Sequence, residues 1–122
     1  MNYEERYALG REIRNKVLDT NHTGEPANKF QAAFRQFTEE NCWGTAWVRP
    51  GLEHKTRSML NLAMLAVMAR WKEFEVHVRG ARNTGVTDDE MIEIVIQAGV
   101  YAGVPIAAES MRIVERVMSE PA

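Results

Sequence analysis

The chain has 122 residues, a length that fits one domain, and 45% of them are hydrophobic and 26% charged, as in ordinary soluble proteins. The net charge of −2 argues against nucleic acid as a partner, because no basic excess is present to displace counterions. The single cysteine, Cys42, excludes an intrachain disulfide and a multi-cysteine metal site. With no apolar signal core and no bilayer-length apolar stretch, we expect one domain over residues 1–122, cytoplasmic and away from membranes.

The first third of the chain has the apolar spacing of two helices. The first is predicted over Tyr3–Asp19, and the polar residues that follow, up to residue 26, are typical of a loop. Asn28 can cap the second helix, which carries phenylalanines at helical spacing. We expect this helix to end near Cys42, before Gly44.

In the middle of the chain, the sequence predicts a turn followed by two more helices. The turn lies at Arg49-Pro50-Gly51. The third helix is predicted over Glu53–Ala69, and because it is apolar nearly all round we expect it to be the most buried one. The fourth runs from Trp71 to Asn83 and stops at Gly85, a residue suited to a left-handed conformation.

Two further helices are predicted in the last third. Thr87 and Glu90 have the spacing of a capping box at the start of the fifth helix. Gly103-Val104-Pro105 interrupts the pattern, and a sixth helix is predicted from Pro105 to about Met118. Since no segment alternates with period two, the sequence predicts an all-α fold of six helices.

His77 is the first residue that can carry chemistry. It shares a helical face with Phe74, Val78 and Ala81, which lie three or four positions away. One interpretation is a core histidine bonded to a backbone carbonyl. The other is a general acid or base, which an imidazole pKa near neutrality suits. A metal site is disfavoured, because His22 and His54 stand elsewhere and no ligand spacing accompanies His77.

Arginines and tryptophans form the second group of candidates. Arg49 precedes the Pro-Gly turn and Arg57 lies near the start of the third helix, and either could grip a carboxylate bidentately or form a surface ion pair. Trp43 and Trp47 could be core residues or the flat walls of a pocket. Thr45, between them, has a hydroxyl but is not an acid or base of ordinary strength.

Several of these residues fall in ordered motifs that span most of the chain. The motifs are Cys42-Trp43-Gly44-x-x-Trp47-x-Arg49-Pro50-Gly51-Leu52, Thr56-Arg57-Ser58, His77-Val78-Arg79-Gly80-Ala81, Asn83-x-Gly85-Val86-Thr87 and Tyr101-Ala102-Gly103-Val104-Pro105-x-Ala107. From Tyr3 to Met118 the chain closely resembles the 4-carboxymuconolactone decarboxylase family. That family belongs to the alkylhydroperoxidase-like superfamily.

The resemblance implies an all-helical fold assembled as trimers of dimers or related rings. It also implies a carboxy-lyase that turns 4-carboxymuconolactone into 3-oxoadipate enol-lactone in the protocatechuate branch of aromatic degradation, the beta-ketoadipate pathway. Neither a metal nor an organic cofactor is expected, because the substrate is its own electron sink. The peroxidase branch carries Cys-x-x-Cys-x-x-x-His on the helix of His77. Here Arg70 and Glu73 stand at the cysteine positions, so peroxidase activity is disfavoured.

On this resemblance we assign site residues. His77 would deliver the proton, and Arg57 or Arg49 would hold a carboxylate and the developing oxyanion. The expected catalytic residues are His77 and Arg57, and the expected substrate contacts are Trp43, Thr45, Trp47, Arg49 and His22. The largely apolar third helix also leaves surface that a second copy would cover. Together with the assembly that the resemblance implies, this leads us to expect a homotrimer or homohexamer.

Two departures from the family pattern bear on the substrate. Thr45 stands where pathway decarboxylases often have Glu, and the residues after His22 differ from the family loop. These departures leave open an isomerase, hydrolase or decarboxylase acting on a related lactone or keto acid. They also leave open a relative that binds a ligand without catalysis.

Overall fold

A computed structural model describes residues 1–19 and 25–121, and this part of the chain contains six α-helices and no strand. The helices are α1 (Tyr3–Leu18), α2 (Lys29–Thr38), α3 (His54–Val67), α4 (Trp71–Asn83), α5 (Asp88–Ala102) and α6 (Val104–Met118). A π-helix over Glu39–Trp47, here called the π segment, follows α2 directly. The predicted all-α fold is confirmed.

The residues form two compact units, the N-terminal unit Met1–Glu53 and the C-terminal unit His54–Ala122. The expectation of one domain over residues 1–122 stays a prediction. No helix among the described residues has both the length and the apolar character needed to cross a membrane.

Most helix ends lie where the sequence predicts them. The Asn28 side chain accepts hydrogen bonds of 3.0 Å from the backbone N–H groups of Phe30 and Gln31. Thr87 and Glu90 form the predicted capping box at the start of α5. The helices α4 and α5 are followed by Gly85 and Gly103, with φ of +96° and +111°, values that glycine adopts without a side-chain clash.

The predicted end of the second helix near Cys42 is wrong. The chain passes from α2 into the π segment at Glu39, so Trp43 and Trp47 lie on a helix and not on a loop. The sequence signal for a break was Gly44, but this glycine serves close helix packing. A Cβ on Gly44 would lie 2.7 Å from the Tyr7 ring and 3.2 Å from the Tyr7 Cα.

The core of the N-terminal unit lies between α1 and the π segment. Ile13 and Val17 of α1 pack with Trp43 and Trp47, and these four side chains are at most 8% exposed. Gly10 lets the two backbones approach, because a Cβ there would lie 2.5 Å from the Gly44 nitrogen. The placement of both tryptophans therefore depends on this glycine.

We expect Gly10→Ala to lower the free energy of unfolding by about 2 kcal/mol or more, since the clashing atoms are backbone atoms that cannot rotate away. Urea unfolding followed by tryptophan fluorescence measures the effect. The matched control is Gly51→Ala, because no atom lies within 4 Å of a Cβ at Gly51 and its change should stay within about 0.5 kcal/mol. Equal stability of the two variants would contradict this description of the packing.

The C-terminal unit has its own core, built by α3, α4, α5 and α6. Fully buried side chains include Leu62, Phe74, Val78, Met91 and Val117. The prediction that the third helix is the most buried is wrong for the single chain. Only Ser58, Leu62 and Ala66 of α3 are buried, whereas Leu60, Met64 and Val67 are 47%, 53% and 51% exposed. Although α3 carries apolar residues on nearly all sides, only one side of it is buried.

Candidate functional site

The π segment and the turn after it carry four of the predicted substrate contacts. The rings of Trp43 and Trp47 are 4.8 Å apart between centroids, inclined by 32°, and 5% and 3% exposed. Both indoles thus belong to the core of the N-terminal unit, the simpler of the two interpretations from sequence. Their role as pocket walls stays a prediction.

The other predicted substrate contacts of this unit, Thr45 and Arg49, are both exposed but differ in their hydrogen bonds. Thr45 is exposed, and its hydroxyl donates a short hydrogen bond to the carbonyl oxygen of Glu40, five residues earlier on the π segment. Arg49 is exposed, and its backbone N–H donates to the carbonyl oxygen of Ala46 at 3.1 Å. His22 lies outside the described residues.

A partly buried ion cluster of Arg11, Arg14 and Glu39 in the N-terminal unit was missed by the sequence analysis. Arg11 donates to both oxygens of Glu39 at 2.8 and 2.9 Å, and this pairing lowers the pKa of the Glu39 carboxyl. Arg14 is 4% exposed, with its Nη1 3.7 Å from Glu39, and burial lowers its pKa. Arg14 follows Gly10 by one turn on α1, but Glu39 lies far away in sequence, so no local spacing indicated the pair.

Cys42 has the character of a structural thiol. It is partly buried on the π segment, packed against the core of the N-terminal unit. Burial raises the pKa of its thiol, which disfavours the thiolate that peroxidase chemistry requires. The expectation that peroxidase activity is disfavoured rests on Arg70 and Glu73 at the cysteine positions of the motif, and it stays a prediction.

His77 lies on α4 at the edge of the core of the C-terminal unit. Phe74, Val78 and Ala81 are fully buried, whereas His77 is partly buried. Burial lowers the pKa of the His77 imidazole, and the carboxylate of Glu73, one turn earlier, works in the opposite direction. Burial thus favours the neutral imidazole over the charged one.

Arg57 belongs to the same unit as His77, on the neighbouring helix. It is partly buried in the first turn of α3, next to Ser58. The hydroxyl of Thr84, just after α4, donates to the Ser58 hydroxyl at 2.8 Å, so the start of α3 lies beside the end of α4. His77 precedes Thr84 by two helical turns, which is about 10 Å along the α4 axis.

No group of three or more histidine, cysteine, aspartate or glutamate side chains that could hold a metal ion occurs in residues 1–19 and 25–121. Independence of cofactors stays a prediction, because it concerns the reaction rather than these residues alone.

Known proteins are similar in sequence to this chain over most of its length. The carboxymuconolactone decarboxylase family matches residues 32–116. A 4-carboxymuconolactone decarboxylase of Acinetobacter baylyi is 37% identical over 98% of this chain and 92% of its own length. A nitrosuccinic acid decarboxylase of Metarhizium robertsii is 35% identical over 91% of this chain and 80% of its own.

Both relatives are decarboxylases, which supports the prediction of a carboxy-lyase with a small-molecule substrate. The helical architecture and the family match also agree with the fold that the sequence motifs implied. The chain belongs to the carboxymuconolactone decarboxylase family.

Proposed function

We propose that the chain is a cofactor-independent decarboxylase that converts 4-carboxymuconolactone to 3-oxoadipate enol-lactone. The observation that carries the proposal is the 37% identity, over 98% of the chain, to a protein with this activity in its name. The placement of Arg57 and His77 on neighbouring helices of one unit supports it.

The reaction needs few functional groups. The carbon–carbon bond to one carboxylate breaks and CO₂ leaves, and the electron pair moves through the unsaturated lactone to its carbonyl oxygen. The resulting dienolate takes up one proton at the carbon next to that carbonyl. The protein has to hold the remaining carboxylate, stabilise the dienolate oxygen and deliver the proton.

Arg57 and His77 fit these tasks. A guanidinium offers charge-assisted, bidentate hydrogen bonds to a carboxylate or an oxyanion, and these bonds strengthen as negative charge develops. A protonated imidazole can deliver a proton to carbon and regain it from solvent. We propose that Arg57, or alternatively Arg49, binds the carboxylate and the developing oxyanion, and that His77 donates the proton. Contacts of substrate with Trp43, Thr45, Trp47 and His22 stay predictions.

A second candidate substrate is nitrosuccinate, which the Metarhizium robertsii relative favours. The two acids share a chemistry, since each is a dicarboxylate whose lost carboxylate adjoins an electron acceptor, the unsaturated lactone or the nitro group. A protein that holds the remaining carboxylate, stabilises the developing negative charge and delivers a proton would serve both substrates. Thr45, in place of the glutamate frequent in the pathway enzymes, is where the two specificities could differ.

The test is a comparison of kcat/KM for 4-carboxymuconolactone and nitrosuccinate, with CO₂ release as the readout. A higher value for the lactone supports the proposal, and a higher value for nitrosuccinate favours the second candidate. Consumption of lactone without CO₂ would identify the isomerase or hydrolase alternative. A folded protein that binds both acids and turns over neither would be a ligand-binding relative.

We also propose that the protein is a homo-oligomer, a trimer or hexamer. Phe30, Phe34 and Phe37 of α2 are 77%, 66% and 61% exposed, and α2 has no buried residue. A second copy of the chain would cover such apolar faces. Sedimentation velocity should give a multiple of the 13.9 kDa chain mass, whereas a monomer at micromolar concentration would refute the proposal.

A further inference from the structure

We propose that the hydroxyl groups of Ser58 and Thr84 form a positioning pair for the decarboxylation. Their hydrogen bond fixes the start of α3 against the end of α4 and thereby sets the place of Arg57. The inference rests on the proposed role of Arg57 in binding the carboxylate and the developing oxyanion. Both hydroxyl groups act through Arg57 and do not contact the substrate themselves.

Ser58 is a polar residue at a position that otherwise favours an apolar one. The buried face of α3 consists of Ser58, Leu62 and Ala66, which are spaced four apart and are each 1% exposed. A buried hydroxyl is unfavourable unless it is hydrogen-bonded. The Ser58 Oγ lies 2.8 Å from the Oγ1 of Thr84, which in turn lies 3.1 Å from the carbonyl oxygen of Ala81. The pair therefore joins α3 to the end of α4.

Stability alone does not require two hydroxyl groups at this contact. Two apolar side chains of the same shape can replace a buried hydrogen-bonded pair with little change in the free energy of unfolding. A hydrogen bond, however, restricts both a distance and an angle, whereas an apolar contact lets two helices slide and rotate. The contribution that distinguishes the Ser58–Thr84 pair from an apolar contact is therefore to the orientation of α3.

The orientation of α3 decides where the Arg57 guanidinium lies. Arg57 directly precedes Ser58, which places it about 100° around the helix from the bonded hydroxyl. Side chains reach about 5–6 Å from a helix axis, so a rotation of α3 by about 10° would move the guanidinium by about 1 Å. A displacement of about 1 Å in a catalytic group can lower a rate by about 10²-fold. A small loosening at Ser58 would thus reach the reaction through Arg57.

A second bond at the start of α3 is a weaker restraint. The Lys55 Nζ lies 3.0 Å from the Glu90 Oε1 on α5, and the two side chains are 36% and 33% exposed. Ion pairs at such exposed positions contribute little and are screened by salt. The Ser58–Thr84 bond, whose serine is fully buried, is the tighter restraint on this part of α3.

The first experiment compares kcat/KM, per folded protein, of the wild type and the double variant Ser58→Ala/Thr84→Val, which removes both hydroxyl groups. We expect a decrease of about tenfold, with a urea midpoint close to that of the wild type. Thr84→Ser, which keeps the hydroxyl, should retain most of the activity. An unchanged kcat/KM in the double variant would overturn the inference, as would an equal loss in Thr84→Ser.

The matched control is Ser110→Ala on α6. Ser110 is also fully buried, but its hydroxyl donates to the carbonyl oxygen of Ile106 in the same helix, at 2.6 Å. Its removal deletes a buried hydroxyl without loosening a bond between helices, so kcat/KM should stay close to the wild-type value. A loss as large as that of the double variant would contradict the inference, because any buried hydroxyl would then have the same effect.

A double-mutant cycle tests whether the effect passes through Arg57. In an Arg57→Met background, Ser58→Ala/Thr84→Val should lower kcat/KM little further, because the group that the pair positions is already absent. A purely structural role would give the same loss in both backgrounds and overturn the inference.

The last readout requires no substrate. The NMR resonance of the Arg57 Nε–H, assigned by its absence in Arg57→Met, should shift in Ser58→Ala/Thr84→Val and stay in place in Ser110→Ala. An unchanged Arg57 resonance in the double variant would overturn the inference whatever reaction the enzyme catalyses. A failure of the proposed reaction and a failure of this inference are therefore separately visible.

Discussion

Replacing His77 with Gln should lower kcat by about 10²-fold or more, because glutamine keeps much of the imidazole's size and polarity but cannot deliver a proton at neutral pH. Steady-state assays with 4-carboxymuconolactone measure this loss. The wild-type rate should also fall as the pH rises through the His77 pKa, since the protonated imidazole is the reactive form. That pH dependence should be absent from the residual rate of the variant.

The control is His54→Gln, which changes the same residue type at the start of α3, outside the proposed machinery. Its kcat should stay close to that of the wild type.

The pH dependence of stability should also distinguish the wild type from His77→Gln. Because burial lowers the pKa of His77, the unfolded chain binds more protons than the folded one as the pH falls below about 6.5. The wild type should therefore lose more stability on acidification than His77→Gln. A fully active, folded His77→Gln protein would remove His77 from the mechanism.

Replacing Arg57 with Met should lower kcat/KM by about 10²- to 10³-fold, the loss typical when a donor to a developing oxyanion is removed. Methionine retains the length and apolar stem of arginine, so packing at the start of α3 should survive. Arg57→Lys should recover only part of the activity, because an ammonium lacks the planar fork that binds two oxygens at once.

The control for Arg57 is Arg112→Met on α6. The Arg112 side chain is 68% exposed and pairs with Glu109 three residues earlier, so its replacement should leave kcat/KM and stability nearly unchanged. Equal activity of Arg57→Met and Arg112→Met would refute the role of Arg57 and turn attention to Arg49.

The helix ends were predictable because they depend on local chemistry. Asn28, the Thr87–Glu90 box and the glycines at 85 and 103 act through backbone groups within a few residues, and such signals can be read from sequence. The extent of α4, Trp71–Asn83, agrees with the prediction at both ends.

The errors have two physical causes. Gly44 has the appearance of a helix breaker, but it lies within the π segment in close contact with Tyr7 of α1, and no local pattern contains that contact. The apolar residues of α3 gave the correct helix and the wrong burial, since hydrophobicity alone does not show which apolar residues of a helix enter the core.

The candidate site was only partly predictable. The helical face of His77 followed from spacing, and its partly buried position at the edge of the core agrees with that face. The Arg14–Glu39 pair joins residues far apart in sequence, so spacing could not reveal it.

The central claim is that the protein removes CO₂ from a lactone dicarboxylate, and the most direct test uses 4-carboxymuconolactone labelled with ¹³C in the carboxylate that is lost. Mass spectrometry would follow ¹³CO₂ while absorbance follows enol-lactone. We predict that one ¹³CO₂ is released for each enol-lactone formed. The rate should be proportional to the concentration of wild-type enzyme and strongly reduced in His77→Gln. Lactone consumption without ¹³CO₂, or no consumption by the folded protein, would contradict the claim.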